Sequence, residues 1–320
     1  FTQFASQALD ERKQVDVVYT DLTKAFDKVH HCILLNKLQN CGLSCSLVQL
    51  LKSVIMCKRQ YVEYSSYQSE EFSCNSGVVQ GSNLGPLLFI IFFNDVCEYI
   101  NCKFYVYADD LKIVNIINSY SDCLHLQHSI DLFAEYCSRN FLRINTAKCK
   151  VMSISRKNVN VGFFYNIQGK VLERCKQFLH LGVIVDNKLS FVPHINYIIQ
   201  KGLKLLGFII RNTSDMRNNF PIKLLFHTLV RSRLEYCCCV WCPWQVTYID
   251  YLENVLRKFC KYLFYKTYGH YPTPHYEQKA LLHLINENSL SSRRYVACLT
   301  FLQKIIFGTI KSAELLGEIK

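Results

Sequence analysis

The segment 104–114, FYVYADDLKIV, constrains the fold more than any other part of the chain. Apolar and polar residues alternate on both sides of two adjacent carboxylates, Asp109 and Asp110. Alternation is typical of half-buried strands, whereas aspartate favours tight turns. We therefore predict a β-hairpin with an acidic tip. The two carboxylates repel each other, so a cation with oxygen ligands, Mg²⁺ or Mn²⁺, would stabilise them. A solvent-facing turn would explain this pair alone equally well.

A second acid follows another predicted strand. Residues 15–22, VDVVYTDL, have the period of a half-buried strand, and Asp21 shares a face with Val15, Val17 and Tyr19. An acid on such a face is normally exposed at the strand end or paired with a cation. Asp21 could instead simply cap the next segment.

Carboxylates from separate elements are what two-ion phosphoryl transfer needs, because they must converge on ions about 4 Å apart. Asp21, together with Asp109 and Asp110, would supply them. The hypothesis is a site for two Mg²⁺ or Mn²⁺ ions, and no organic cofactor is expected.

A glycine-rich loop leads into a helix over residues 77–95. Ser82 is a plausible N-cap and Pro86 suits a first helical turn. Gln80 offers an amide to a base, sugar or phosphate, and Gly81 allows close approach of a ligand. The apolar run that follows is too short to span a bilayer, which needs about 20 residues. It predicts a core helix, and no membrane partner is expected. An ordinary loop before a buried helix would fit the same pattern.

These segments, in this order and spacing, resemble the palm motifs of reverse transcriptases. The residues in these motifs are most similar to those of the non-LTR (LINE-type) retrotransposon branch, in particular the jockey-like elements. Further segments downstream also resemble that branch. The matching segments are 21–31 (DLTKAFDKVHH), 77–95, 107–110 (YADD), 142–150 (LRINTAKCK), 178–190 (FLHLGVIVDNKLS), and 229–236 (LVRSRLEY) with 240–241 (VW).

The resemblance implies an RNA-directed DNA polymerase that extends a DNA primer, at a target DNA, on an RNA template with dNTPs. Asp21 and Asp109 would bind the two metal ions, and Asp110 would complete the acidic cluster. The ions would lower the pKa of the primer 3′-hydroxyl and stabilise charge on the phosphorus. Lys148 would face the triphosphate as a proton donor to the leaving pyrophosphate, or is an ordinary solvated lysine.

The resemblance also implies a nucleotide-binding set. Phe26 would lie under the sugar, where a bulky ring leaves no room for the 2′-hydroxyl that distinguishes ribonucleotides. Otherwise Phe26 is a core aromatic. Backbone N–H groups of the segment that follows Asp21 would approach the triphosphate. The full set is Leu22, Thr23, Lys24, Ala25, Phe26, Gln80 and Gly81.

The coarse pattern predicts an α+β fold in two domains. Residues 1–192 read as a palm, an antiparallel sheet with helices on one face, with residual fingers elements. Further strands are predicted at 60–64, 71–74 and 149–155, and helices capped by Ser46 and Ser121. Residues 193–320 have apolar residues at three- and four-residue steps and are predicted to form a helical thumb.

The charge balance favours a polyanionic partner. The formal net charge is +12, with 37 Lys and Arg against 25 Asp and Glu. In the second half basic residues are interleaved with aromatic ones, which suits helices that follow a template–primer duplex by its phosphates. These basic and aromatic residues include Lys201, Lys204, Arg211, Arg231, Arg233, Arg257, Lys258, Trp241, Trp244 and Phe259. An ordinary basic helical surface would look similar.

The 17 cysteines have no disulfide-framework spacing and follow no secretory signal, so a reducing intracellular compartment is expected. We expect most of them to pack as buried apolar residues. Cys239-x-x-Cys242 has zinc-ligand spacing, with His270 or His275 as candidate partners, but no second pair repeats it.

Two other functions stay open at the sequence level. One is an RNA-dependent RNA polymerase, which a deoxynucleotide preference would exclude. The other is a maturase-like RNA-binding relic that keeps the palm as a scaffold, although a scaffold gains nothing from repelling acids. The chain starts at Phe1, only 14 residues before the first palm strand. We therefore expect a fragment of a longer open reading frame with its fingers largely absent. We also expect the protein to be located in the nucleus. The sequence does not define its oligomeric state.

Overall fold

The chain forms two compact units, Phe1–Gln177 and Phe178–Lys320. They are seen in a computed structural model that describes residues 1–56, 59–157, 160–273 and 278–317. The first unit mixes strands and helices and the second is mainly helical, which confirms the predicted α+β class.

The first unit is organised around a five-stranded sheet with strand order β11-β8-β1-β7-β6. All neighbours pair antiparallel except β11 and β8, which are parallel. The strands of the chain are β1 Gln14–Thr20, β2 Arg59–Gln60, β3 Glu63–Tyr64, β4 Tyr67–Gln68, β5 Phe72–Ser73, β6 Lys103–Tyr107, β7 Asp110–Ile117, β8 Lys150–Ile154, β9 Asn166–Ile167, β10 Lys170–Val171, β11 Glu173–Arg174, β12 Gln177–His180 and β13 Val183–Asp186.

Helices cover both faces of this sheet. Val18 and Ile113 face a large core that includes Phe133 of the longest helix in the unit. The opposite face carries Tyr19, and there the N-terminal helix packs against β1. The helices are α1 Thr2–Asp10, α2 His31–Asn40, α3 Cys45–Met56, α4 Leu84–Phe93 and α5 Tyr120–Arg139, with 3₁₀ turns at Ala25–Lys28 and Asn94–Glu98.

The prediction of helices on only one face of the sheet is wrong in this detail, because the N-terminal helix covers the second face. Every residue of β1 is buried. Val15, Val17 and Tyr19 need cover on their own face because burying apolar side chains is the main favourable contribution to folding. The α1 residues Ala5 and Leu9, which are buried, belong to that cover.

The helix starts agree only in part with the predicted caps. The N-cap of α4 is Asn83 and not Ser82, although the Ser82 hydroxyl, one residue earlier, accepts a hydrogen bond from the Gly85 N–H at 3.0 Å. The cap of α5 is Ser119 and not Ser121, because Ser119 forms a capping box with Asp122. The predicted strands at 60–64 and 71–74 are four two-residue strands, β2 to β5, whose residues are all exposed.

The second unit is a helical cluster preceded by a β-hairpin. Its centre includes Phe226 and Phe259, whose rings stack at 3.8 Å. The helices are α6 Val192–Asn212, α7 Asn219–Leu225, α8 Ser232–Glu235, α9 Cys238–Trp241, α10 Val246–Tyr268, α11 Gln278–Leu284, α12 Leu290–Ile306 and α13 Ala313–Gly317, with a π-helical turn at Phe226–Arg231. The hairpin of β12 and β13 lies in this unit because Val183 joins its core and β13 packs on α6. The units therefore divide 15 residues before the predicted boundary at 192/193, and the palm and thumb assignments stay predictions.

The cysteines do not follow the expectation of general burial. Those that the structure describes carry free thiols, and Cys237, Cys239 and Cys242 are exposed. Over the described ranges, no group of three His, Cys, Asp or Glu side chains is arranged to hold a metal ion. Cys239 and Cys242 are therefore not part of a zinc-ligand cluster in the described residues. Of the two histidines suggested as further ligands, His270 is exposed and His275 lies outside the described residues.

Candidate active site

The three predicted metal ligands meet at one end of the central sheet. Asp21 directly follows β1, and Asp110 is the first residue of β7. The antiparallel register pairs Thr20 with Leu111, so Asp21 and Asp110 come next to each other as the strands end. Tyr107 pairs with Asp110, which leaves Ala108 and Asp109 as a two-residue turn. The predicted hairpin with an acidic tip is thus present.

The turn itself has a strained residue. Ala108 has a φ of 54°, in the left-handed region that glycine adopts more readily than residues with a Cβ. The packing around the turn must hold this conformation. It places Asp109 at the tip and lets Asp110 begin the next strand.

The acids influence one another's ionisation. The pKa of Asp110 is raised, first by its partial burial and then by the carboxylates of Asp109 and Asp21, whereas Lys112 opposes the rise. This mutual repulsion is what a bound divalent cation would relieve, and an all-carboxylate donor set fits Mg²⁺ or Mn²⁺. The three carboxylates do not form a closed ligand cluster as they stand.

Two lysines lie beside the acids. Lys148 places its Nζ 3.7 Å from Asp21 Oδ2, and its side chain is 70% exposed. This is a weak surface ion pair that a metal ion could replace. Lys112 is buried, at 7% exposure, with its Nζ 4.3 Å from the centre of the Phe1 ring. Burial lowers the pKa of Lys112 to about 8, although Asp110 opposes the shift.

We expect Lys112→Leu to stabilise the chain by about 1–3 kcal/mol at pH 7, because the fall in the lysine pKa from 10.5 to about 8 corresponds to about 3 kcal/mol at most. The unfolded chain binds more protons than the folded one between pH 8 and 10.5. The stability contributed at this site therefore rises with pH across that window and is lowest below it. Urea denaturation at pH 7 and pH 9.5 measures both effects.

The matched control is Lys170→Leu, which replaces an exposed lysine on β10. It should leave the unfolding free energy and its pH dependence within about 0.5 kcal/mol of the parent chain. If Lys112→Leu were less stable than the parent chain at pH 7, burial of Lys112 would not be a cost to the stability of the fold.

The segment after Asp21 is held against the chain at residues 143–145. The Thr23 N–H donates to the Arg143 carbonyl at 2.8 Å, and the Asn145 N–H donates to the Asp21 carbonyl at 2.8 Å. Thr23 therefore does not offer its N–H to a triphosphate here, contrary to expectation. Leu22 and Ala25 are buried. Lys24 has a φ of 51°, and this conformation turns the chain into the 3₁₀ segment.

Phe26 is half-buried and fixed by a ring stack. Its ring lies 4.4 Å from that of Phe89, at an angle of 25°. Both rings line a cavity of about 530 Å³ that also reaches Tyr107 and Ala108 of the acidic hairpin. The structure thus brings the predicted sugar-contacting aromatic to the same cavity as the turn that holds Asp109.

The glycine-rich loop is joined to the segment that follows Phe26. The Val78 N–H donates to the Phe26 carbonyl at 2.9 Å. Gly77 has a φ of 96°, and a Cβ there would lie 3.1 Å from the Asp27 backbone. Gln80 is exposed and donates from Nε2 to Asp27 Oδ1 at 2.7 Å. Gly81 also has a positive φ, of 82°, with open space around it.

Two side chains in this region were not predicted as site residues from the sequence. Asp27 contacts Gln80, and His31 lies within 2.8 Å of the Gly77 carbonyl through Nε2. Both belong to the quoted segment 21–31. Local sequence carries no signal that pairs them with residues about 50 positions away.

Comparison with known proteins agrees with this geometry. The sequence model of the family described as "Reverse transcriptase (RNA-dependent DNA polymerase)" matches residues 2–210. This chain belongs to the reverse transcriptase family. The match covers the sheet, the acidic hairpin, the glycine-rich loop and all but the last two residues of α6.

Curated relatives place this reverse transcriptase in the predicted branch. It is 26% identical over 256 residues to the probable RNA-directed DNA polymerase from transposon BS of Drosophila melanogaster, covering 76% of this chain and 27% of the relative. It is 30% identical over 205 residues to the RNA-directed DNA polymerase from mobile element jockey of Drosophila funebris, covering 60% and 22%. The prediction of a non-LTR, jockey-like reverse transcriptase is confirmed. The chain spans about a quarter of the length of these relatives.

Among solved structures, telomerase from Candida albicans in complex with a fragment of telomeric RNA is similar with a TM-score of 0.44 and 15% identity. That alignment covers 99% of this chain and 51% of the telomerase chain. In the described part of this reverse transcriptase, none of the helices has the length and apolar character to cross a bilayer.

Proposed function

We propose that this chain carries the catalytic residues of an RNA-directed DNA polymerase that extends a DNA primer on an RNA template with dNTPs. The observation that carries the proposal is the register of β1 with β7, which brings Asp21 beside Asp110 next to the turn that holds Asp109. Membership in the reverse transcriptase family supports two-ion nucleotidyl transfer at these acids.

In this proposal the protein contributes position and charge. Mg²⁺ or Mn²⁺, held as two ions by Asp21, Asp109 and Asp110, would activate the primer 3′-hydroxyl and offset charge on the transferred phosphorus. The sheet holds Asp21 and Asp110 at fixed strand ends. Lys148, now 3.7 Å from Asp21, would donate a proton to the leaving pyrophosphate.

The second unit would hold the nucleic acid through part of its predicted basic surface. Lys201, Lys204 and Arg233 are exposed and can contact phosphates. Arg231 instead pairs with Glu287 at 3.1 Å. Trp241 is buried in the helical core, as is Phe259, so these aromatics do not interleave with the surface cations as expected. The nuclear location stays a prediction.

Primer extension by the purified chain tests the proposal. A DNA primer on an RNA template is incubated with Mg²⁺ and either dNTPs or rNTPs. Extension with dNTPs on RNA would support a reverse transcriptase. Preference for rNTPs would favour an RNA-dependent RNA polymerase, and RNA binding without any extension would favour the maturase-like relic.

We expect Phe26→Val to raise rNTP incorporation relative to dNTP incorporation by about 100-fold, because a smaller side chain leaves room for the 2′-hydroxyl. The stack with Phe89 keeps the native ring in place. Steady-state kcat/KM for dCTP and CTP gives the ratio. Phe164→Val, at a position 85% exposed, is the control and should leave the ratio unchanged. An unchanged ratio in Phe26→Val would assign sugar selection to another residue.

A further inference from the structure

Asp27 and Gln80 form a hydrogen bond that connects two separate motifs. Gln80 Nε2 donates to Asp27 Oδ1 at 2.7 Å across 53 positions of sequence. Both side chains are exposed, and both line a cavity of about 540 Å³. An exposed pair of this type contributes little to fold stability. A gain in stability therefore does not explain why Asp27 and Gln80 are in contact.

The backbone on both sides of this contact is fixed. The Ser76 hydroxyl donates to the Asp27 carbonyl at 2.9 Å. The Gly77 N–H donates to the Val29 carbonyl at 2.8 Å, and the Val78 N–H to the Phe26 carbonyl at 2.9 Å. Asp27 and Gln80 therefore face each other because the two segments are paired on both sides of Asp27.

The chemistry of the pair fixes the direction of the glutamine amide. An ionised carboxylate only accepts hydrogen bonds, so it can bond to the nitrogen of Gln80 and not to the oxygen. The amide is planar, and its oxygen must then face away from Asp27. Asp27 thereby selects one of the two amide orientations and presents an acceptor, Oε1, to a ligand. Without Asp27 the amide would rotate freely and lose this preference.

We infer that Asp27 is a positioning residue for Gln80: it orients the amide so that its oxygen accepts a hydrogen bond from a hydroxyl or amino group of the incoming nucleotide. This inference rests on the proposed polymerase function. Asp27 itself touches no reacting atom. Its charge would even oppose a triphosphate, so its presence beside Gln80 is explained by orientation and not by attraction.

A double-mutant cycle tests this role. We expect Asp27→Leu to raise the KM for dNTPs by about tenfold with kcat changed less than twofold, since a charge-assisted hydrogen bond organises the ground state. Asp27→Asn keeps an acceptor oxygen and should restore the KM to within about twofold. Gln80→Met should raise the KM by a similar factor. Asp27→Leu should add nothing in the Gln80→Met background, because the two residues act as one unit.

The chain offers a matched control pair. Half-buried Gln127 donates from Nε2 to the exposed Asp131 Oδ1 at 2.8 Å on α5, and the Gln127 amide also bonds to the Asn166 backbone. Asp131→Leu should leave the KM and kcat unchanged. Selective ¹⁵N labelling of glutamine side chains gives a readout without nucleotide: the Gln80 amide resonances should shift in Asp27→Leu and not in Asp131→Leu.

The outcomes separate the two proposals. Extension by the parent chain together with additive effects of Asp27→Leu and Gln80→Met would overturn the positioning role and leave the polymerase intact. Tighter dNTP binding in both Asp27→Asn and Asp27→Leu would also overturn it, since Asp27 would then act only through its charge. No extension by the parent chain would overturn the proposed function, whereas an unshifted Gln80 resonance in Asp27→Leu would overturn the contact itself.

Discussion

Asp109→Asn should reduce primer extension by at least about a thousandfold, which corresponds to about 4 kcal/mol of transition-state stabilisation. Asparagine keeps the size of the side chain and its fit in the turn but removes the negative charge that binds a divalent ion. Asp109 sits at the hairpin tip between Tyr107 and Asp110. Single-turnover extension with dNTPs and Mg²⁺ measures the loss, and Mn²⁺ binding followed by electron paramagnetic resonance should fall with it.

The control for this prediction is Asp131→Asn, which alters an exposed acid on α5 and should extend primers at the parent rate. Folding must be intact in both variants, as judged by the urea midpoint. Extension by Asp109→Asn within tenfold of the parent chain would remove Asp109 from the metal site.

Asp110 allows a further contrast in the same assay. Its pKa is raised first by partial burial and then by repulsion from Asp109 and Asp21. Asp110→Asn should therefore lose extension while the unfolding free energy stays equal or rises slightly. Catalytic groups that repel one another are held at a cost in stability.

Asp16→Ala should destabilise the fold by about 3–5 kcal/mol, the second large effect that we expect. Asp16 is fully buried in the centre of β1. Its carboxylate accepts hydrogen bonds from Gln14 at 2.8 Å, Ser153 at 2.5 Å and Tyr165 at 2.9 Å. Arg174 lies 3.8 Å away as the countercharge. Removing the carboxylate leaves these buried donors without their acceptor.

Urea unfolding followed by circular dichroism measures this loss. Asp131→Ala, an exposed aspartate that accepts one glutamine hydrogen bond, should change the unfolding free energy by less than about 0.5 kcal/mol. Tyr165→Phe removes a single donor and should cost about 1–2 kcal/mol. A loss below about 1 kcal/mol in Asp16→Ala would show that the network is dispensable.

The sequence determined the local elements and their chemistry. Alternation around Asp109 and Asp110 specifies a hairpin because strands have a period of two and aspartate favours turns. The helix after Ser82 follows from a cap, an early proline and an apolar run. These are short-range effects, so the residues that carry them stand next to one another in the chain. The family resemblance rests on the same local segments.

The tertiary structure alone decided which distant residues meet. Asp16 and Tyr165 are 149 positions apart, and Gln80 meets Asp27 only because the loop pairs with the segment after Phe26. Lys112 meets the Phe1 ring, just before the N-terminal helix, on a face of the sheet that the alternating pattern left unassigned. Such contacts depend on strand register and helix packing, which are set by burial summed over the whole unit. The acidic residues of the site could therefore be predicted from the sequence. The residues that contact the site or its supporting strands from distant parts of the chain could be identified only in the tertiary structure.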